Sequence, residues 1–134
     1  MNITTLSLRN VLLSAVLATP LLALAANDTQ PIDGKTYTGT LVKQGEAQGD
    51  PDDFVFKDGK FISSACAGFG FKPAAYSVKQ VGKHLQFNAE NKTEAGVRMI
   101  WQGTIDGDHL VATSQWLRPN QPVVEFHASA SLKH

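Results

Sequence analysis

Apolar and polar residues alternate with a period of two along most of the chain from Lys35 onward. This period is typical of β-strands with one buried face, and no comparable stripe at helical spacing is present. Three dipeptides interrupt the alternation where tight hairpin turns are expected: Asp58-Gly59, Gly82-Lys83 and Asp106-Gly107. The pattern therefore predicts about eight antiparallel strands in simple succession.

Each two-residue turn also predicts which residues face one another across its hairpin. The predicted pairs include Phe56 with Phe61, Phe54 with Ser63, Val78 with Phe87, Tyr76 with Ala89, Trp101 with Ala112, Met99 with Ser114 and Val97 with Trp116. These pairs form mainly apolar faces, whereas the alternate pairs are mostly polar. Because a slip of one residue would exchange the two faces, their agreement in three hairpins favours these registers.

An even number of strands allows the last one, residues 123–132, to pair with the first, residues 35–43, and close the sheet. The predicted fold class is therefore all-β, an eight-stranded antiparallel up-and-down β-barrel of the lipocalin or avidin type. A β-sandwich is the alternative arrangement for the same strands. We expect residues 26–134 to form this single domain.

The predicted turns all lie at one end of the barrel, and the longer connections lie at the other, which we call the looped end. Loops on a rigid scaffold and barrel mouths are frequent ligand sites. The candidate ligand-binding residues are Phe54, Cys66, Phe69, Phe71, Tyr76 and Trp116. A purely structural role is the alternative: Phe69 and Phe71 would fold inward as a plug, and Cys66 would be a small buried apolar residue.

The first 25 residues have the layout of a secretory signal peptide. Arg9 precedes an apolar run that is interrupted by Pro20 and ends in Ala23-Leu24-Ala25, a sequence suited to signal peptidase. The run is shorter than the roughly 20 residues that a membrane span needs. We therefore expect cleavage near Ala26 and a soluble periplasmic or secreted protein.

Charge and cysteine content exclude several classes of function. The chain has 12 basic and 12 acidic residues without a clustered basic stretch, so neither nucleic acid nor an anionic membrane surface is an expected partner. Cys66 is the single cysteine, so the core must be stable without an internal disulfide. This is more typical of a periplasmic protein than of a small disulfide-rich extracellular module.

No residues with the spacing of a metal site or of a catalytic site are apparent. His84, His109 and His127 are all predicted to face outward, and ligands of a metal site must converge. The acidic pair Asp52-Asp53 is predicted to lie in a turn, and Ser63 lacks a neighbouring histidine that could act as its base. We therefore expect no catalytic residue, no metal and no cofactor.

The segments FVFKDGKFISSACAGFGF (54–71) and IWQGTIDGDHLVATSQW (100–116), with Ala75-Tyr76 between them, resemble a family of small exported bacterial proteins of uncharacterised activity. The resemblance implies a lipocalin-like or avidin-like barrel and implies no particular activity. The run Gln115-Trp116-Leu117 is also similar to the end of avidin. Only Trp116 would reach the rim, and no other part of the avidin biotin site can be placed on this chain.

Two functions from different classes follow. The first is a carrier or sensor that holds a small apolar or aromatic ligand at the looped end. The alternative is a protein-interaction module, such as a periplasmic inhibitor of a hydrolase, that inserts loops 43–53 and 90–96 into its partner. A third possibility, a dimer linked through Cys66, requires an exposed thiol.

Overall fold

The computed structural model describes residues 31–134, so the predicted signal peptide lies outside the described residues. Its elements are β1 (Thr36–Lys43), β2 (Asp50–Lys57), β3 (Lys60–Ser63), α1 (Ser64–Ala67), β4 (Ala74–Val81), β5 (His84–Lys92), β6 (Arg98–Asp106), β7 (His109–Leu117) and β8 (Val124–Leu132). Each strand pairs antiparallel with the next, and β8 pairs with β1. The predicted closed eight-stranded barrel is confirmed. Within residues 31–134, no helix has the length and apolar character that crossing a membrane requires.

The registers of two hairpins are as predicted, and that of the third is shifted by two residues. Phe56 faces Phe61 and Val78 faces Phe87. In the third hairpin, however, Trp101 faces Ser114 instead of Ala112.

The shift arises because the turn consists of Gly107 and Asp108, with Asp106 paired to His109. Gly107 has a φ of 56°, close to the 59° of Gly82, so both turns carry glycine at the first central position, as type II′ turns do. Asp58 and Gly59 both have positive φ, which is the geometry of a type I′ turn. A shift of two residues preserves the faces, so the predicted separation of apolar and polar sides holds.

The barrel interior is filled by large aromatic side chains packed against a wall of small residues. The fully buried aromatic residues are Tyr37, Phe54, Phe56, Phe61, Phe87 and Trp101. The small residues facing them include Gly39, Gly103, Ala112, Ala128 and Ala130. A Cβ atom at Gly103 would lie 2.2 Å from the Phe87 ring, so the glycine makes room for the aromatic side chain. The middle of the barrel is thus a packed core, and any ligand site must lie toward an end.

The two ends differ as predicted. The turns at 58–59, 82–83 and 107–108 lie at one end, which we call the turn end. The looped end carries the connections 44–49, 64–73, 93–97 and 118–123, the second of which includes α1. The three strand histidines, His84, His109 and His127, are exposed on the outer surface, as predicted.

Candidate functional site

A pocket of about 460 Å³ opens at the looped end, above the aromatic core. We call it the mouth pocket. Its lining consists of Leu41, Lys43, Glu46, Gln48, Gly49, Asp50, Ala65, Cys66, Phe69, Phe71, Met99, Trp116 and Phe126. Four of the predicted site residues, Cys66, Phe69, Phe71 and Trp116, therefore come together in one cavity.

Phe54 and Tyr76 do not line the mouth pocket. Phe54 is fully buried in the core, where its ring lies 5.8 Å from that of Trp101. The Tyr76 hydroxyl donates a hydrogen bond of 2.9 Å to Asp33, which also accepts one from the backbone N–H of Gly59. Tyr76 therefore lies at the turn end, and its predicted position at the looped rim is wrong.

The stagger of the barrel strands explains the position of Tyr76. The short strand β3 pairs with β4 only at Lys60 with Ala75 and at Phe61 with Ala74. These pairs lie directly after the Asp58-Gly59 turn, so β4 begins beside the turn end. The register of a single hairpin does not show how far that hairpin is displaced along the barrel axis relative to its neighbours. A closed barrel requires such a displacement between strands.

The single-turn helix α1 is anchored beneath the mouth pocket by Asp52. This carboxylate is 4% exposed and accepts hydrogen bonds from the hydroxyls of Ser63 and Ser64 and from the backbone N–H of Ala65. The Ser63 hydroxyl in turn accepts a bond of 3.2 Å from the Cys66 N–H. Asp52 lies in β2 rather than in the predicted turn, and it holds two pocket-lining residues, Ala65 and Cys66, in place.

Cys66 forms part of the pocket wall as a neutral thiol. Cys66 is 3% exposed, and this burial is the main cause that raises the pKa of its thiol from 9.0 to about 11. That value already includes the hydrogen bond with Ser63, which lowers the pKa, and the charge of Asp52, which raises it. The thiol is therefore protonated at neutral pH and is a poor nucleophile. Its burial argues against the disulfide-linked dimer, which requires an exposed thiol.

Cys66 is expected to make stability fall at alkaline pH. The pKa of the thiol is higher in the folded protein than in the unfolded chain. Its contribution to the unfolding free energy is therefore fully present below the ordinary pKa of 9.0 and is lost as pH rises toward about 11. Between about pH 8 and about pH 10, the unfolding free energy of the native sequence should fall by about 1.4 kcal/mol more than that of Cys66→Ala. Denaturant unfolding of both proteins measures this difference. Equal losses would show that burial does not perturb the thiol.

Aromatic side chains form one half of the mouth pocket. The ring centroid of Trp116 lies 6.2 Å from that of Phe69 and 6.5 Å from that of Phe126. Phe69 is 73% exposed, so the inward-folded plug is wrong for this residue, whereas Phe71 is 5% exposed and does fold inward. The guanidinium of Arg118 lies over the Trp116 ring, 4.2 Å from its centroid.

The other half of the pocket is polar and comes from the end of β1, the following loop and the start of β2. It consists of Lys43, Glu46, Gln48 and Asp50. The sequence predicts that this segment contacts a protein partner and gives no indication that it lies beside Trp116. The pairing of Lys43 with Phe126 across β1 and β8 could have placed it there. Phe126, Met99 and Leu41 also line the pocket and were likewise not predicted as site residues.

Within residues 31–134, no group of three or more His, Cys, Asp and Glu side chains is arranged to hold a metal ion. The buried hydrogen-bonded group at Asp52 consists of two hydroxyls and a carboxylate, and its bonds to the start of α1 give it a structural role. What the mouth pocket offers is an apolar cavity with an aromatic wall and a charged edge. This arrangement is suited to binding.

Comparisons with protein-family models, with curated proteins and with solved structures found no match to this chain. The resemblance to a family of small exported barrels therefore stays a prediction. The inference of function depends on the geometry of the mouth pocket.

Proposed function

We propose that this protein is an exported, non-enzymatic β-barrel that binds a small apolar or aromatic ligand in the mouth pocket. The observation that carries the proposal is the cavity of about 460 Å³ at the looped end, with Trp116 and Phe126 in its wall. Pockets for small molecules commonly measure roughly 300–1,000 Å³ and are mostly apolar, with a few polar groups. Export to the periplasm or the medium is inferred from the signal-peptide pattern of residues 1–25.

The apolar lining supplies the driving force for binding. Leu41, Met99, Phe71 and Cys66 are buried and contribute apolar surface, while Trp116 and Phe126 are partly exposed. Removing apolar surface from water contributes roughly 25 cal/mol per Å². Leu41, Cys66, Phe71 and Met99 belong to the packed core, so a ligand need not order this part of the lining before it binds.

Calorimetric titration with 3-phenylpropan-1-ol tests the proposal. Its phenyl group matches the aromatic wall, and its hydroxyl is uncharged. Trp116→Ala removes one side of that wall and is expected to weaken binding by roughly tenfold or more, because an aromatic side chain contributes a large contact area. Val111→Ala is the control, since Val111 is 58% exposed and lies outside the pocket lining. Equal affinity of Trp116→Ala and the native sequence would contradict the proposed site.

A protein-interaction module, such as a periplasmic inhibitor of a hydrolase, is the second candidate. The exposure of Phe69, at 73%, favours it, because an exposed aromatic side chain on a loop can enter a partner's cleft. The same calorimetry separates the two functions. A looped end that serves only a protein partner would not bind 3-phenylpropan-1-ol.

A further inference from the structure

The charged groups of the mouth pocket carry a net negative charge. Its lining contains one basic residue, Lys43, and two acidic residues, Glu46 and Asp50, which gives a net charge of −1. No ion pair within residues 31–134 involves these three side chains. Asp50 pairs across the strands with Leu41, which also lines the cavity, so a carboxylate adjoins apolar surface.

The aromatic half of the pocket also favours positive charge. The faces of Trp and Phe rings are electron-rich and attract ammonium and guanidinium groups. Arg118 illustrates this property, since its guanidinium lies 4.2 Å from the centroid of Trp116. Phe69, Trp116 and Phe126 thus form an aromatic wall that is open to the same cavity as Glu46 and Asp50.

Arg118 and Lys43 oppose this preference, but two observations limit their effect. Arg118 does not belong to the pocket lining, and its charge already faces the Trp116 ring. Lys43 is exposed, as Glu46 and Asp50 are, and these two carboxylates outnumber it in their half of the pocket. An anionic ligand would be attracted by Lys43 but repelled by both carboxylates and by the ring faces.

We propose that the ligand of the mouth pocket is an amphipathic organic cation, with an apolar or aromatic body and an amine or quaternary ammonium group. The body lies against the aromatic wall, and the positive group lies toward Glu46 and Asp50. This inference rests on the proposed function, because it specifies the charge of the ligand for the same pocket.

Three probes with one body and different charge test the inference. They are 3-phenylpropylamine, 3-phenylpropan-1-ol and 3-phenylpropionate, each titrated at neutral pH and low ionic strength. The amine is expected to bind roughly tenfold more tightly than the alcohol, and the propionate more weakly than either, since a carboxylate pair and aromatic faces each contribute several-fold. Added salt should reduce the advantage of the amine.

Charge-neutralising variants assign this preference to its residues. The double variant Glu46→Gln with Asp50→Asn is expected to lower the ratio of amine to alcohol affinity by about fivefold or more. Lys43→Gln should raise that ratio. Glu94→Gln is the matched control, because Glu94 is an exposed acid in the 93–97 loop and does not line the pocket. It should leave the ratio unchanged.

The possible failures are distinguishable. If the alcohol binds and the amine binds no better, or if the propionate binds best, the preference for a cation is wrong while the proposed function stands. If the ratio of amine to alcohol affinity is the same in the double variant and in Glu94→Gln, Glu46 and Asp50 are not the residues that cause the preference for a cation. If none of the three probes binds, both the inference and the proposed function are overturned.

Discussion

Replacing Gly39 with alanine is expected to lower the free energy of unfolding by about 3 kcal/mol or more. Gly39 lies in β1 opposite Ala130 of β8, at the seam that closes the barrel. A Cβ atom built there would lie 1.9 Å from the backbone oxygen of Ser129 and 2.8 Å from the Ala130 Cβ. A backbone atom cannot rotate away as a side chain can, so the two strands must separate. Urea unfolding of the variant and the native sequence measures the loss.

Thr40→Ala is the control for this prediction. Thr40 is the next residue in β1 and is exposed on the outer face, so its truncation should change the unfolding free energy by less than about 0.5 kcal/mol. A Gly39→Ala protein as stable as Thr40→Ala would show that the β1–β8 seam is looser than described.

Asp52→Asn is expected to lower the unfolding free energy by about 2–3 kcal/mol. The carboxylate accepts bonds from Ser63, Ser64 and the Ala65 N–H with its two oxygens, whereas an amide has one oxygen and one NH₂ group. The NH₂ group of the introduced asparagine would face a group that now donates to Asp52. One buried donor would then lack an acceptor, which lowers the unfolding free energy. The variant should also bind 3-phenylpropan-1-ol more weakly, because α1 holds Ala65 and Cys66 in the pocket wall.

Asp53, the residue after Asp52, provides a control variant for the loss of stability in Asp52→Asn. Asp53 accepts a 2.7 Å hydrogen bond from Thr38, and its carboxylate lies 3.9 Å from Lys133, with 37% of the side chain exposed. Asp53→Asn should cost less than about 1 kcal/mol, as exposed ion pairs usually do. If Asp52→Asn is no more destabilising than Asp53→Asn, the anchoring of α1 does not depend on the buried carboxylate.

Most of the fold could be predicted from the sequence because two local signals agree. The period of two specifies which residues face inward, and the turns at Asp58 and Gly82 fix the register on either side. The third turn was misplaced by one position because Asp106-Gly107-Asp108 contains both an Asp-Gly and a Gly-x pair. Choosing between type I′ and type II′ requires the backbone geometry, and Gly107 occupies the first central position.

The candidate site could be predicted only in part. Cys66, Phe69 and Phe71 follow β3 directly and Trp116 lies near the end of β7, so their position at the looped end follows from chain order. Tyr76 was misplaced because the offset between strands in a closed barrel is not visible in any single hairpin.

The polar half of the pocket could not be predicted as part of the site. Glu46 and Gln48 lie in a loop without periodicity, so no register indicates which way they face. Loop residues of this composition are usually solvated. The contact with the cavity depends on how the loop folds over Leu41 and Phe126, which is a tertiary feature.

The packed interior also defines what kind of binding protein this barrel can be. Trp101 is fully buried among Phe54 and Phe61, with ring centroids at 5.8 and 5.3 Å. A ligand therefore cannot enter the middle of the barrel as it would in a wide, hollow one. The mouth pocket lies between Met99 and the loops, so bound ligands should remain close to the surface.

NMR of the two indole N–H groups during titration with 3-phenylpropan-1-ol shows where in the barrel the probe binds. Trp116 lines the mouth pocket, whereas Trp101 lies in the packed core, so the two signals report on separate places in one protein. If the mouth pocket is the ligand site, the Trp116 signal shifts saturably while the Trp101 signal moves little. A Trp116 signal that stays unmoved up to the solubility limit of the probe, or a saturable shift confined to Trp101, would contradict it.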